Sequence, residues 1–180
     1  GIGKSGLIAR KISSTLSSVG VSSFYLNPSE ANHGDLGKVD KQDLLLIFSY
    51  SGNTSEISGL LKYANRFNVK IIGVASKIDS MLLKASDIKI LLPKVKESDP
   101  TQMVPTTSTS LTLLFGDSLA VALMYKKNFS KERFKEFHPG GNIGHSLLLA
   151  KDIMITGKKL PVIEIKKKLK DALRVINSKK

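Results

Sequence analysis

With 180 residues, of which 41% are hydrophobic, the chain is long enough for one domain of ordinary size with a substantial core. It has no cysteine, which excludes disulfides, thiolate metal sites and cysteine nucleophiles. No segment approaches the roughly 20 apolar residues that a membrane span needs, so we predict no membrane partner.

The net charge of +13 is unevenly distributed, because residues 151–180 hold ten Lys/Arg against three Asp/Glu and so contribute +7. A basic tail is typical either of nucleic-acid binding or of a solvated helix face. The lysine run at 166–168 has no interleaved aromatic residues on which bases could stack. We therefore favour the solvated face and predict no nucleic-acid partner.

The chain opens with a glycine-rich segment, residues 1–6, and apolar residues at helical spacing then predict a helix that ends at Gly20. Because glycine-rich turns of this kind normally follow a strand, we expect a first strand to be missing from the chain as given. Gly3-Lys4-Ser5 also resembles the end of a nucleotide-binding P-loop. A P-loop protein needs an acidic residue after a later strand, and no predicted strand here ends in one.

Residues 22–92 alternate between apolar runs and amphipathic segments. The runs predict strands at 22–26, 44–48, 70–75 and 88–92, and the segments between them predict helices at 57–67 and 80–85. Strands that are apolar almost throughout are typical of a parallel sheet covered on both faces. The sequence therefore predicts an α/β fold with a doubly wound, Rossmann-like sheet flanked by helices.

The segment that follows the predicted strand 44–48 is rich in hydroxyl groups, from Ser49, Ser51, Thr54 and Ser55. A helix begins soon after it, and a helix N-terminus offers unpaired backbone N–H groups and a positive dipole end. Gly52 would let the backbone approach a ligand closely. We predict a phosphate site here. The alternative is an ordinary turn in which Thr54 or Ser55 is the helix N-cap.

A polar loop at 94–105 interrupts the alternation and carries Glu97 and Asp99. Loops of this length in a compact domain are usually functional or disordered. A second run of hydroxyl residues, 106–110, follows and leads into a helix that is apolar almost all round. Such a helix is expected to be buried in the core or at a subunit contact.

The last part of the chain changes character. Ser130 predicts the start of a helix that Pro139 ends, and another short helix is expected at 141–149. From Lys151 onward the pattern is that of a linker and the opening of a further domain. We therefore expect one domain at 1–150 and a linker with a truncated second domain at 151–180.

Six segments occur in one order: residues 1–6, 31–36, 49–56, 105–109, 116–120 and 138–144. Together they resemble the sugar isomerase (SIS) domain of the arabinose-5-phosphate isomerases, and residues 152–154 resemble the junction to the paired CBS domains of that family. The resemblance implies a five-stranded parallel sheet and a cytoplasmic homotetramer with active sites between subunits. Tyr50 departs from the asparagine that is common in relatives.

The implied reaction is the interconversion of D-ribulose 5-phosphate and D-arabinose 5-phosphate through an enediol, in the pathway to Kdo and lipopolysaccharide. A non-catalytic SIS module that senses sugar phosphates is the alternative. We predict no cofactor and no metal requirement; a zinc site that includes His33 and His138 is chemically possible, but no close ligand spacing supports it.

The chemistry of the residues, together with the resemblance, assigns the site residues. For the substrate and its phosphate these are Gly3, Ser5, His33, Ser49, Ser51, Gly52, Asn53, Thr54, Thr106, Thr107, Ser108 and Thr109. The two hydroxyl clusters should line one pocket, because open α/β sheets bind ligands beyond the carboxyl ends of their strands.

Four residues are the candidates for catalysis. Lys4 would stabilise the enediolate oxyanion, and Glu97 would move the proton between C1 and C2 with a pKa tuned toward neutrality by a partly closed pocket. Glu56 is a second acid, or alternatively a carboxylate that the helix dipole attracts. His138 would open the sugar ring or share the proton transfer, or alternatively cap a helix C-terminus.

Overall fold

The computed structural model describes residues 1–139 and 148–179. They form two units, Gly1–Phe137 and His138–Lys180, each taken by itself below. In the first unit the strands are β1 (Leu44–Phe48), β2 (Lys70–Ala75) and β3 (Ile88–Leu91). Its helices are α1 (Gly3–Ser18), α2 (Pro28–Ala31), α3 (Ile57–Phe67), α4 (Met81–Ala85), α5 (Thr107–Lys126) and α6 (Lys131–Phe137), with a 3-10 turn at Asp35–Lys38.

The three strands form one parallel sheet in the order β1-β2-β3, with Leu44 opposite Lys70 and Ile72 opposite Ile88. Side chains alternate between the two faces of a strand, and both faces are covered here. Ile47 and Ile71 pack with α3 and α4, whereas Phe48 and Val74 pack with α1 and α5. The predicted doubly wound α/β class is confirmed.

Small residues let α1 and α5 approach each other closely. The buried stripe of α5 consists of Ser108, Thr112, Gly116 and Ala120, spaced four apart. A Cβ on Gly116 would lie 2.1 Å from the Cδ1 atom of Ile12 in α1, so any larger residue would have to displace the Ile12 side chain. The large apolar residues of α5 lie elsewhere on the helix, and Leu114 and Tyr125 are 64% and 81% exposed.

Among residues 1–139 and 148–179, α5 is the single helix that is long and apolar enough to cross a membrane, judged by length and composition alone. This corrects the expectation that no segment approaches that size. The criterion is weak for one helix, because core helices of globular domains meet it too. The absence of a membrane partner stays a prediction.

The strand predicted at 22–26 does not form, so the described sheet has three strands. Residues 22–26 and β1 line the same cavity of about 470 Å³ and do not pair with each other. A strand cannot form a ladder without a neighbouring backbone. Side-chain bonds hold the segment instead: Ser17 Oγ donates to Ser23 O at 2.9 Å, and the Tyr25 hydroxyl donates to Gly1 O at 3.0 Å.

The other strands and helices lie close to their predicted positions. β1, β2 and α3 have the predicted bounds, and Ser80 caps α4 by accepting a hydrogen bond from Leu83 N at 3.4 Å. The predicted glycine-rich turn at the start is shorter than expected, because α1 already begins at Gly3.

The second unit contains a short helix at Ala150–Ile153, a 3-10 turn at Gly157–Lys159 and a helix at Leu169–Ser178. In the described part of this unit no helical residue is buried. Most of the helix predicted at 141–149 lies outside the described residues. The domain boundary predicted at residue 150 stays a prediction.

Candidate functional site

The carboxyl ends of the three parallel strands bring three loops to one edge of the sheet. β1 runs into the turn at 49–56, β2 runs into Ser76, and β3 runs into the loop that precedes α5. The chain just before α1 reaches the same edge, since a Cβ on Gly1 would lie 2.8 Å from Phe48 O. This edge is where open α/β sheets bind ligands.

Neutral groups hold the turn at 49–54 together. The buried Ser49 Oγ accepts a hydrogen bond from Gly52 N at 3.1 Å and lies 2.8 Å from Thr54 Oγ1. Ser51 Oγ accepts from Asn53 N at 3.3 Å. The alternative in which Thr54 or Ser55 is the N-cap does not hold, because Glu56 flanks the first residue of α3 and makes no side-chain cap. The turn thus has a defined shape before α3 begins.

Gly52 approaches α4 closely, a contact that the sequence did not predict, and its close approach to a ligand stays a prediction. Its φ is +71°, and a Cβ there would lie 2.2 Å from Ser80 Oγ. Gly52 O accepts from Leu82 N at 3.0 Å, and Asn53 Oδ1 accepts from Met81 N at 2.8 Å. The turn therefore caps the N-terminus of α4, and the side-chain oxygen of Asn53, a predicted phosphate-site residue, already has a protein partner.

Glu97 occupies the N-terminus of α5. Its carboxylate accepts hydrogen bonds from Thr106 N at 2.8 Å, Thr106 Oγ1 at 3.1 Å and Ser108 N at 3.2 Å, and a short one from Ser108 Oγ. The Ser108 hydroxyl and the Thr106 amide lower the pKa of Glu97 to about 2. The expected tuning toward neutral pH is therefore wrong for this arrangement, because all four donors stabilise the ionised form.

A hydrogen-bond bridge that the sequence reasoning missed joins the loops. The Tyr50 hydroxyl donates to Pro93 O at 3.1 Å and accepts from Val95 N at 2.9 Å. The amide and the hydroxyl of Ser76 both donate to Tyr50 O at 2.8 Å. Ser76 could have been found, because it directly follows β2 at the edge of the sheet where ligands bind. The side-chain bonds of Tyr50 have no comparable signal in the sequence.

A cavity of about 680 Å³ opens beside the turn. Its lining includes Asn53, Ser76 and two lysines, Lys77 and Lys94, together with the acidic Asp79. Of the predicted phosphate-site residues only Asn53 lines this cavity, and its two lysines are the lining groups that suit a phosphorylated ligand.

The remaining candidates divide between the two units. Lys4 is exposed on the first turn of α1. His33 lies in a turn beside the start of α3, because the neighbouring Asn32 donates from Nδ2 to Glu56 O at 3.5 Å. The Glu56 carboxylate accepts from Ser55 Oγ at 2.8 Å, and the pKa of Glu56 is lowered by its own amide and by Ser55. This favours the helix N-terminal role for Glu56. His138 belongs to the second unit and is half-buried.

No group of three His, Asp or Glu side chains that could hold a metal occurs within the described ranges, 1–139 and 148–179. The absence of a metal requirement stays a prediction. The edge of the sheet thus carries a hydroxyl-rich turn, an ionised carboxylate and a cavity lined in part by Lys77 and Lys94, which are groups suited to proton transfer on a phosphorylated substrate.

Comparison with known proteins gives consistent results. Residues 1–122 match the SIS domain family. The arabinose 5-phosphate isomerase KdsD of Shigella flexneri is 42% identical over 180 residues, which are 99% of this chain and 55% of that protein. The Francisella tularensis KdsD is 39% identical with the same coverage. The chain thus spans about half the length of these curated relatives.

Two solved structures resemble the fold closely. One is the Escherichia coli CFT073 protein c3406 in complex with arabinose 5-phosphate, with a TM-score of 0.74, 36% identity, and coverage of 76% of this chain and 73% of that one. The other is a Bacteroides fragilis putative phosphosugar isomerase involved in capsule formation, with a TM-score of 0.75, 40% identity, and coverage of 78% and 74%.

Proposed function

The chain belongs to the SIS domain family, and we propose that the protein is an isomerase that interconverts D-ribulose 5-phosphate and D-arabinose 5-phosphate. The observation that carries the proposal is the neutral, hydroxyl-rich turn at 49–54 beside a cavity flanked by Lys77 and Lys94. The names of the relatives and the arabinose 5-phosphate complex of the E. coli CFT073 protein support the same substrate class.

Phosphate binding is assigned to the turn. Ser51 is exposed and Thr54 is half-buried, so both can turn a hydroxyl toward an anion, while the buried Ser49 keeps the loop in shape. A phosphate there meets neutral donors, because the hydrogen bonds within the turn join hydroxyls and amides only. Phosphate is bound well by such groups close to the start of a helix.

Isomerisation moves a proton between C1 and C2 through an enediol, and the charge that develops on the oxygens must be stabilised. Glu97 is ionised at neutral pH and can accept the proton; leaving its four donors would raise its basicity. Lys4, on the first turn of α1, supplies a positive charge for the enediolate. His138 is assigned to ring opening.

A non-catalytic sugar-phosphate sensor is the second candidate. A sensor needs the phosphate turn but has no use for both Glu97 and His138, and both are present in this chain. The isomerase therefore accounts for more of the sequence than the sensor does.

The partners form part of the proposal. Leu114, Val121 and Tyr125 lie on one face of α5, seven and four residues apart, and are 64%, 49% and 81% exposed. An apolar helix face of this kind supports a contact between subunits of a homo-oligomer, such as the tetramer that the resemblance implies. A cytoplasmic location and a role in the supply of Kdo belong to the same proposal.

The test is an assay of the full-length protein that couples isomerisation to detection of the ketose product. We expect turnover of arabinose 5-phosphate and little turnover of hexose phosphates. Equal turnover of a hexose phosphate would contradict the narrow assignment, and no turnover with retained sugar-phosphate binding would favour the sensor.

Two substitutions test the assigned chemistry. Glu97→Gln and His138→Ala should each lower turnover at least about a hundredfold, the typical contribution of a positioned acid or base, while inorganic phosphate still competes for the site. Asp99→Asn in the same loop is the matched control and should retain most activity. Near-normal turnover in either test variant would remove that residue from the mechanism.

A further inference from the structure

The phosphate turn and the loop that carries Glu97 are connected by one side chain, that of Tyr50. Its ring is half-buried against the apolar cluster between the sheet, α1 and α5. Its hydroxyl uses both of its bonding capacities, donating to Pro93 O at 3.1 Å and accepting from Val95 N at 2.9 Å. A phenol that is held by packing and bonds a backbone donor and a backbone acceptor fixes that backbone firmly.

The point of attachment lies just before Glu97. Only Lys96 separates Val95 from Glu97, and two residues span at most about 7 Å even when fully extended. Glu97 must therefore lie close to the place where Tyr50 holds the chain. Beyond Glu97 the loop is attached again, through the bonds of its carboxylate to Thr106 and Ser108. The segment between these attachments is too short to move freely.

Tyr50 is itself anchored on the turn side. It directly follows the buried Ser49, and Tyr50 O accepts two hydrogen bonds from Ser76 at the end of β2, each 2.8 Å long. The ends of all three strands thus meet at this residue: β1 through the chain, β2 through Ser76 and β3 through the loop. Displacement of the Tyr50 ring would move the Glu97 loop relative to the phosphate turn.

We propose that Tyr50 is a positioning residue, whose hydroxyl sets the distance between the bound phosphate and the Glu97 carboxylate. The inference rests on the proposed function, because it assigns Glu97 to proton transfer and the turn to phosphate binding. Proton transfer depends steeply on geometry, whereas phosphate affinity depends on the turn alone. Loss of the hydroxyl should therefore lower kcat and leave phosphate binding intact.

The test variant is Tyr50→Phe in the full-length protein, which keeps the packed ring and removes both hydroxyl bonds. We expect kcat to fall about tenfold or more, as for a small misplacement of a catalytic group, with KM and competition by inorganic phosphate changed less than about twofold. Tyr63→Phe is the matched control; its ring packs on Phe67 in α3, 4.7 Å between centroids, on the other face of the sheet. It should leave kcat unchanged.

Two readouts do not depend on turnover. Hydrogen exchange at the Val95 amide should become faster in Tyr50→Phe, whereas exchange at the Ser76 amide, which donates to the Tyr50 backbone, should not change. Carbon NMR of labelled glutamate, assigned with Glu97→Gln, should show the pKa of Glu97 rising from about 2 as the loop loosens. These results would support the positioning role even if the wild-type protein proved not to isomerise pentose phosphates.

Three outcomes would overturn the inference. Unchanged Val95 exchange with an unchanged Glu97 pKa would mean that the hydroxyl does not hold the loop. Unchanged kcat beside a normal wild-type activity would mean that the loop position is set elsewhere. Weaker competition by phosphate with normal kcat would assign Tyr50 to the phosphate turn alone.

Discussion

Two hydroxyl-rich segments lie at the carboxyl edge of this sheet, and their hydrogen-bond partners differ in charge. The turn before α3 is closed by neutral groups, Ser49 with Gly52 N and with Thr54. The N-terminus of α5 is filled by a charged side chain of the protein itself, Glu97. From sequence both segments have the same appearance, a run of Ser and Thr at the start of a helix.

The difference lies in where the protein's own carboxylate binds: Glu97 accepts bonds from the Thr106 and Ser108 amides at the start of α5, whereas Glu56 at the start of α3 makes no side-chain cap and bonds the Ser55 hydroxyl. The positive dipole end and the free amides of α5 attract Glu97 for the same reason that they would attract phosphate. An incoming phosphate at α5 would have to displace an ionised carboxylate and its hydrogen bonds. At the turn before α3 it meets hydroxyls, which can reorient at small cost.

The largest expected effect comes from the shape of the turn. Gly52→Ala would place a methyl group 2.2 Å from Ser80 Oγ at a φ of +71°, so the turn must move. We expect a loss of about 2–4 kcal/mol in unfolding free energy and loss of phosphate binding, measured by urea unfolding and phosphate titration. Gly34→Ala is the control for φ alone, since Gly34 has a φ of +119° with no atom within 4 Å of its Cβ position. Equal losses in both variants would show that the contact with Ser80 is unimportant.

The second effect concerns the buried hydroxyl at the centre of the turn. Ser49→Ala removes the acceptor for Gly52 N and the partner of Thr54 Oγ1. We expect KM for the sugar phosphate to rise about tenfold and unfolding free energy to fall by about 1–2 kcal/mol, the usual cost of a broken buried hydrogen bond. Ser55→Ala removes an exposed hydroxyl bonded to Glu56 and should change KM less than about twofold. A larger effect of Ser55→Ala would move the site toward the start of α3.

The third effect is a pH dependence of stability that arises at the start of α5, where Glu97 is bound, and not at the turn before α3. The folded-state pKa of Glu97, about 2, lies below its ordinary value of 4.5, so its stabilising contribution is complete above pH 4.5 and is lost as pH falls toward 2. Glu97→Gln should therefore have a lower unfolding free energy than wild type at pH 7, and this difference should disappear between pH 4.5 and pH 2. Urea unfolding at a series of pH values measures it. A difference in unfolding free energy that does not depend on pH would mean that the hydrogen bonds of Glu97 do not stabilise its ionised form.

The smallest effect is a change in one pKa. Ser108→Ala removes the donor that lowers the pKa of Glu97 most, so that pKa should rise from about 2 toward 4.5. Thr107→Ala is the neighbouring control, because the bonds to Glu97 within the described part of the chain come from Thr106 and Ser108. NMR titration of labelled glutamate compares the two variants. Equal shifts would indicate that the helix dipole, and not the individual donors, controls Glu97.

Much of the fold could be predicted from local patterns. The bounds of β1, β2 and α3 were predicted to the residue. A continuous apolar run marks each strand and an apolar stripe at helical spacing marks the helix, and both patterns can be read from consecutive residues. The strand at 22–26 was wrong, because a strand depends on a partner backbone that local pattern does not contain. The contact between Gly52 and Ser80 was missed for a similar reason, since Ser80 lies 28 residues further along the chain.

The sequence by itself determined the family and the class of sheet and located the hydroxyl-rich turn after β1, because motifs and strand-to-helix junctions consist of consecutive residues. Only the tertiary structure decided how the loops at the edge of the sheet are connected. It paired Glu97 with Thr106 and Ser108, and it gave Tyr50 its two bonds to the loop after β3. Which hydroxyl cluster stays open to a ligand depends on these pairings, and they depend on which backbone atoms folding brings within about 3 Å of each side chain.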